Sequence, residues 1–430
     1  MTLYAGIDLG TSGCRAVIID GRGIVRAYAA TPLTPPKRIG AQVEQHPELW
    51  WDALEQAFTN ALHQIPAQQV ASIAVDGTSA TLLATDAHGQ PLGAALMYDD
   101  SRARTEADRI AARASRDSAA HGATSSLAKL LYLHKAIPAA AHALHQADWI
   151  AGRLCGQFGI TDENNALKLG YDPITRTWPK WLAELEVPTI LLPRVIAPSF
   201  PIGTIASRWA RHWKLSADTM VVAGTTDSIA GFLATGAREA GEAVTSLGTT
   251  LVLKVLCDKP VFEPRYGVYS HRLENRWLAG GASNTGGSAL LKFFTIERLR
   301  QLSDQLDPEH PTGLSYYPLP RPGERFPLND PDRLPMVHPR PDNDAVFLQG
   351  LLEGIAQVEA EGYRLLARLG APYPKSVRSV GGGAMNHAWT RIRANTLGVP
   401  MITPRQSDAA YGSAQLARLG YLRAHRQNPR

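Results

Sequence analysis

The stretch Tyr4–Asp20 reads YAGIDLGTSGCRAVIID. Two apolar runs, Tyr4–Leu9 and Cys14–Ile19, flank Gly10-Thr11-Ser12-Gly13. This pattern predicts a β-hairpin, with glycines where φ > 0 or close backbone approach is needed. Asp8 ends the first strand, just ahead of the turn. Turn amides and two hydroxyls beside one carboxylate suit a phosphate and its Mg²⁺. A hairpin with a merely polar turn is the competing reading.

The motif returns. Ser246-Leu247-Gly248-Thr249-Thr250, followed by the apolar run Leu251–Leu256, echoes Asp8-Leu9-Gly10-Thr11-Ser12 at a spacing of 238 (Asp8 to Ser246, Thr11 to Thr249). Its position at the start of each half, between apolar strands, predicts a duplicated domain with two phosphate-holding turns. Ser246 stands where the first copy has Asp8, so the turns have unequal tasks. The first would handle the metal and the transferred phosphoryl group, and the second the remaining phosphates.

The 430 residues, 44% hydrophobic and 19% charged, predict two or three domains with ample core. A net charge of +5 without like-charged blocks argues against nucleic-acid binding, and Arg418, Arg423, Arg426 and Arg430 read as a solvated face. Cys14, Cys155 and Cys257 are odd in number and widely spaced, which fits neither a disulfide framework nor a zinc site. The chain enters a strand without a basic, then apolar, leader, and no apolar run reaches membrane-spanning length. A cytoplasmic protein with no membrane partner is expected.

Along the chain, a third strand is predicted near Ile24–Ala29. A helix opens at His46-Pro47-Glu48, with proline in its first turn and one buried face from Leu49 to Ile65. Strand Val70–Val75 runs into Asp76-Gly77-Thr78-Ser79. Leu82–Thr85 and Ala94–Tyr98 read as a hairpin ending in Asp99-Asp100-Ser101-Arg102. Residues 103–220 read as mostly helical, with an alanine-rich stretch at Ala139–Ala143. Strand Met220–Ala223 leads into Gly224-Thr225-Thr226-Asp227 and a helix from Ser228. In the second half, strand Arg276–Ala279 precedes a loop, and ten prolines from Pro308 to Pro341 predict an extended surface segment. Helix Phe347–Leu369, strand Val377–Val380, Gly381-Gly382-Gly383, a helix from Asn386, strand Val399–Ile402 and a closing helix from Asp408 complete an α/β pattern.

The chain has no G-x-x-x-x-G-K-[ST], no G-x-G-x-x-G after a strand, no G-x-S-x-G and no H-E-x-x-H. Asp227 is a candidate general base that accepts a proton from a substrate hydroxyl attacking a γ-phosphate; its alternative is a helix N-cap. Asp8 is the candidate metal carboxylate, acting through bridging water. The polar groups after Asp76 and after Asp99 could serve a polyhydroxy substrate or end their strands as turns. Gly381–Gly383 with Asn386 could admit a flat ring or serve as a strand–helix turn.

Taken together, these pieces resemble the FGGY carbohydrate kinases. The matching segments are IDLGTS at Ile7–Ser12, EQHPELWW at Glu44–Trp51, AGTTD ending at Asp227, SLGTT at Ser246–Thr250, EGIA at Glu353–Ala356 and GGGAMNHAW at Gly381–Trp389. The resemblance implies a duplicated actin/Hsp70/hexokinase-type (ribonuclease H-like) α/β fold. It implies an N-terminal sugar-binding domain, residues 1–234 plus 408–430, and a C-terminal nucleotide-binding domain, 235–407, closing on a cleft. It implies ATP and Mg²⁺ as cofactors, with Asp227 as catalytic base, Asp8 as the metal-linked and substrate-side aspartate, and Thr11 contacting phosphate. Gly10, Thr11 and Ser12, with Gly248 and Thr249, would form the phosphate turns, and Gly382, Gly383, Asn386 and Trp389 would border the nucleotide's base and ribose.

Xylulokinases typically carry an SGQMHG-like segment where this chain reads GTSAT, and glycerol kinases an NQRET-like one. The short chain, GTSAT and FPLNDP at Phe326–Pro331 are most similar to the D-ribulose kinase branch found in cyanobacteria and plants. That branch implies Thr78 and Ser79 at the sugar, beside Asp8 and Asp227, and Asp100 matches the family's N-D-x-R. D- or L-xylulose is the alternative substrate. A sugar- or nucleotide-binding sensor without turnover is the alternative class.

Overall fold

The computed structural model describes residues 1–427, which separate into two compact units: Met1–Ala234 with the chain from Asp408 onward, and Thr235–Ser407. In the first unit, β1 (Leu3–Leu9) pairs antiparallel with β2 (Gly13–Asp20), and β2 antiparallel with β3 (Val25–Pro32). On its other edge β1 runs parallel to β4 (Val70–Gly77), and β4 parallel to β5 (Met220–Thr226). The strand Pro201–Thr204 closes the sheet.

The second unit repeats the scheme. β6 (Glu242–Leu247) pairs antiparallel with β7 (Leu251–Cys257), and β7 with β8 (Arg276–Ser283). β6 runs parallel to β9 (Ser376–Val380), and β9 to β10 (Met401–Ile402). The order β8-β7-β6-β9-β10 reproduces β3-β2-β1-β4-β5 in both position and direction. The duplicated α/β architecture read from the two hairpins is therefore present. The copies differ by one residue: Leu9 faces Cys14 across the first turn, but Leu247 faces Leu251 across the second.

All seven residues of β1 are buried, because helices cover both faces of the sheet. Alternation sorts them: Leu3, Ala5, Ile7 and Leu9 join a core with Trp50, Leu54 and Phe58 of α1 (Pro47–Leu62). Tyr4 joins the opposite core with Ala410, Tyr411 and Ala414 of the C-terminal helix. That helix sits tight against the sheet at glycines. A Cβ on Gly6 would lie 2.0 Å from the Ala410 carbonyl, and one on Gly412 would lie 1.9 Å from that of Ala230.

Three expectations fail at least in part. Residues 103–220 are not mostly helical: strands His142–His145, Ile160–Asp162, Arg194–Ile196 and Pro201–Thr204 interrupt short helices. The alanine-rich stretch enters His142–His145, which finds a ladder partner in Leu82–Thr85; pairing overrides alanine's helix propensity. The proline-rich segment is no surface strap, since Tyr316, Tyr317, Leu319 and Phe326 lie in the second unit's core. Gly281 and Gly362 leave room for the Phe326 ring, which a Cβ would approach to 2.4 and 2.7 Å. Nor is the arginine-rich end uniformly solvated: Arg423 donates to Ser199 Oγ at 2.5 Å, while Arg426 is exposed and Arg430 lies outside the described residues. No helix among the described residues is long and apolar enough to cross a membrane.

Candidate active site

In the first unit, three parallel strands end together. The register sets Asp8 of β1 opposite Asp76 of β4, and Asp76 opposite Thr225 of β5. Asp227 then opens α2 (Asp227–Ala234). Ligands of open α/β sheets collect at such carboxyl ends. The sheet bulges between Val222 and Thr225, and Gly224 is required there because a Cβ would lie 1.7 Å from the Val75 carbonyl.

The three aspartates differ in environment. Asp8, 3% exposed, accepts from Arg15 Nη1 at 2.8 Å, and Arg15 Nε lies 3.9 Å from Asp408 Oδ2. Asp76 is 0% exposed and accepts from Ser413 Oγ at 2.5 Å on Oδ2. Burial, and then the Asp8 charge, push the Asp76 carboxyl well above the usual carboxylate range. Its Oδ1 is buried without a hydrogen-bond partner among the described residues. Asp227 is only half-buried; its Oδ1 accepts from the amide of the next residue, Ser228, at 2.5 Å. Its charge is felt at Asp76 and at the Tyr98 hydroxyl.

The first turn is closed by Gly10 N donating to the Gly13 carbonyl at 3.1 Å, and Thr11 and Ser12 are exposed at its tip. The sugar-side candidates are placed less simply. Thr78 is buried, with its hydroxyl between Thr81 Oγ1 (2.6 Å) and Gln146 Oε1 (2.9 Å). Asp100 is buried and accepts from Val43 N (2.6 Å), Arg102 Nη2 (2.6 Å) and Arg102 Nε (3.0 Å). Both hold loops in shape through these partners. Ser79 remains half-buried beside them.

The sequence reading missed Lys129. Its Nζ donates to the carbonyls of Ala80 (2.7 Å), Met97 (2.7 Å) and Tyr98 (3.2 Å), so it joins the two loops that carry Ser79 and Asp99. Burial pulls its pKa down to about 7, although three carbonyls hold the ammonium. The available signal was one charge inside the apolar run Leu127-Ala128-Lys129-Leu130-Leu131.

In the second unit the turn Gly248–Thr250 is closed by Gly248 N on the Thr250 carbonyl at 3.2 Å, with Thr249 exposed. Beside it, at the end of β9, Gly381 has φ +86, and a Cβ there would lie 2.8 Å from the Leu247 carbonyl. Gly382 is exposed with open space around it, and Gly383 packs on the Trp389 ring, 2.4 Å from where a Cβ would stand. Trp389 is 3% exposed and its Nε1 donates to the Leu352 carbonyl at 3.1 Å. It braces the glycine loop from beneath. Asn386 caps α4 (His387–Leu397; α3 is Asp344–Arg368) by accepting from Trp389 N at 2.9 Å, and its Nδ2 donates to Ser303 Oγ at 2.8 Å.

A buried ionic network ties these parts together. Glu359 of α3 and Arg393 of α4, both 0% exposed, pair at 2.6 Å. Thr245 of β6 donates to Glu359 at 2.6 Å, and Arg393 donates to Ser379 of β9 at 2.6 Å. The strands that end in the two loops are therefore fastened to the same ion pair.

Among the described residues, no group of three His, Cys, Asp or Glu is placed to hold a metal ion. Mg²⁺ can still fit such a site, because it takes one or two carboxylates and fills its octahedron with water and phosphate oxygens.

Residues 3–234 match the N-terminal domain of the FGGY family of carbohydrate kinases, and residues 243–421 match its C-terminal domain. The chain is 27% identical to the xylulose kinase of Escherichia coli (strain K12) over 442 residues, covering 97% of this chain and 90% of the relative. It is 28% identical to the xylulose kinase of Streptomyces coelicolor, over 96% and 87% of the two chains. Among solved structures, a xyloylose kinase from Brucella ovis superposes with a TM-score of 0.88 at 25% identity, over 98% of this chain and 90% of that one. Plasmodium falciparum glycerol kinase with ADP shares the fold, with a TM-score of 0.83 at 16% identity over 99% and 92% of the chains. With both domain matches in order along nearly its whole length, the chain belongs to the FGGY family of carbohydrate kinases.

Proposed function

We propose that this carbohydrate kinase transfers the γ-phosphate of MgATP to the terminal hydroxyl of a ketopentose, D-ribulose, giving D-ribulose 5-phosphate. The observation that carries the reading is the convergence of Asp8, Asp76 and half-exposed Asp227 at the ends of three parallel strands. Asp227 accepts the hydroxyl proton. An alcohol is a far weaker acid than a carboxylic acid, so the carboxylate orients the nucleophile and takes the proton late. Asp8 pairs with Arg15 beside the turn at Thr11 and Ser12. Asp8 is the residue that would hold Mg²⁺, through water. When bound, the ion offsets charge on the phosphate oxygens. The nucleotide's other phosphates fall to Gly248 and Thr249, and its base and ribose to Gly382, Gly383 and Asn386. The first unit is then the sugar-binding domain and the second the nucleotide-binding one.

D-ribulose is favoured by the short chain, by Gly77-Thr78-Ser79-Ala80-Thr81 and by the segment Phe326–Pro331, which are similar to the D-ribulose kinase branch. D- or L-xylulose is the second reading, favoured by the relatives called xylulose kinases. ADP release over a panel of pentuloses, hexuloses and polyols decides between them. Acceleration by xylulose but not ribulose overturns the first choice. Asp227→Ala should abolish transfer with nucleotide binding retained; a variant that still turns over removes Asp227 as the base.

A further inference from the structure

The turn Gly248–Thr250 does not stand alone. Gly287 N donates to the Gly248 carbonyl (2.8 Å), Ser288 N to that of Thr249 (3.1 Å), and Leu251 N to that of Thr285 (2.8 Å). Ser288 Oγ donates to the Thr249 carbonyl at 2.6 Å as well. Gly286, at φ +136, lets the two backbones touch, since a Cβ would lie 2.8 Å from Thr250 C and 2.9 Å from Thr249 O. The turn therefore takes its shape from residues 284–288, the loop that follows β8.

That loop is in turn gripped by the proline-rich segment. Glu324, 3% exposed, accepts from Ser283 Oγ at 2.5 Å, Asn284 N at 2.8 Å and Tyr317 OH at 3.1 Å. It also accepts from Arg325 N at 2.9 Å. Asn284 Nδ2 donates to the Gly323 carbonyl at 3.0 Å, Arg325 Nε to that of Ala282 at 2.7 Å, and Thr285 Oγ1 to that of Pro318. Every contact given for the Glu324 carboxylate is with a hydroxyl or an amide. A carboxylate offers about four lone-pair positions, whereas glutamine would turn an NH₂ toward one side of this set. A carboxylate in a dry site without a cation is costly unless donors surround it. Core packing alone would be served better by an apolar side chain.

We infer that Glu324 is a positioning residue for nucleotide binding: it fixes loop 284–288 and, through it, the turn Gly248–Thr250. This rests on the proposed reading of that turn as a phosphate clamp. The test is steady-state kinetics of Glu324→Gln with ATP and sugar varied separately, alongside nucleotide titration without sugar. The KM for ATP should rise about tenfold, the order of one charge-assisted hydrogen bond, while the KM for sugar stays within twofold. Ser283→Ala, which removes one donor and leaves the carboxylate, should give a smaller shift of the same kind and serves if Glu324→Gln folds poorly. Unchanged ATP kinetics in both variants, or equal rises for ATP and sugar, overturn the inference. Thr249→Glu, at an exposed turn position, separates the two levels by setting a negative charge against the phosphates. If it raises the KM for ATP and the Glu324 and Ser283 variants do not, only the positioning role falls. If Thr249→Glu also leaves ATP unaffected, the clamp reading fails with it.

Discussion

Replacing Arg393 with methionine removes, at nearly conserved volume, the cation of the one ion pair among the described residues in which both side chains are 0% exposed. Glu359 then keeps only Thr245 Oγ1 as a donor from this network, and Ser379 loses its donor. Breaking a buried pair on one side costs about 3–5 kcal/mol, because the remaining charge is stranded away from water. In a unit of this size 1 kcal/mol moves the melting temperature by about 2–4 °C, so the second unit should melt about 6–20 °C below the wild type. Calorimetry reads this directly, since a change confined to one unit shifts one transition and leaves the other. Glu359→Gln combined with Arg393→Met removes the stranded charge and should recover at least half the loss. A single-variant loss below about 1 kcal/mol, or a double variant as unstable as the single, would refute the electrostatic account. Because the pair fastens β6 and β9, the destabilised variant should also lose nucleotide affinity before sugar affinity.

Asp76→Asn should leave kcat/KM within about threefold, because an amide can still accept from Ser413 and burial already disfavours a charge at this position. A hundredfold fall would mean that Asp76 acts ionised. The folded pKa of Asp76 lies above its unfolded value, so the wild type loses stability relative to this variant as pH rises from about 4; a pH-independent difference in melting temperature would contradict that. Lys129→Met leaves three carbonyls without their donor and should raise the KM for sugar while sparing that for ATP. With a folded pKa near 7, below the unfolded value, the wild type gains stability over the variant as pH rises from about 7 toward 10, and a flat difference between pH 6.5 and 9 would refute the assignment.

The hairpins were legible because their signal is local. Alternating apolar residues around Gly10–Gly13 and Gly248–Thr250 specify two strands and a turn whatever surrounds them. Strand His142–His145 was not, because its character comes from Leu82–Thr85, some sixty residues earlier. The same distinction separates ligand groups from bracing groups. Thr78, Asp100 and Trp389 are of the right type at the right place in the chain. Yet Gln146, Val43 and Leu352, each remote in sequence, already occupy their polar atoms. Asp76 shows the converse: a polar strand end in the sequence becomes an acid facing Asp8 only through the register of β1 and β4. Residue type and spacing thus select the candidates, and long-range hydrogen bonds decide which of them still face solvent. By that criterion Thr11, Ser12, Asp227, Thr249 and Gly382, all at least half-exposed, are candidates that still face solvent. Lys129 and Glu324 belong to the frame that holds it, and for that reason their substitution should shift one substrate's KM at a time.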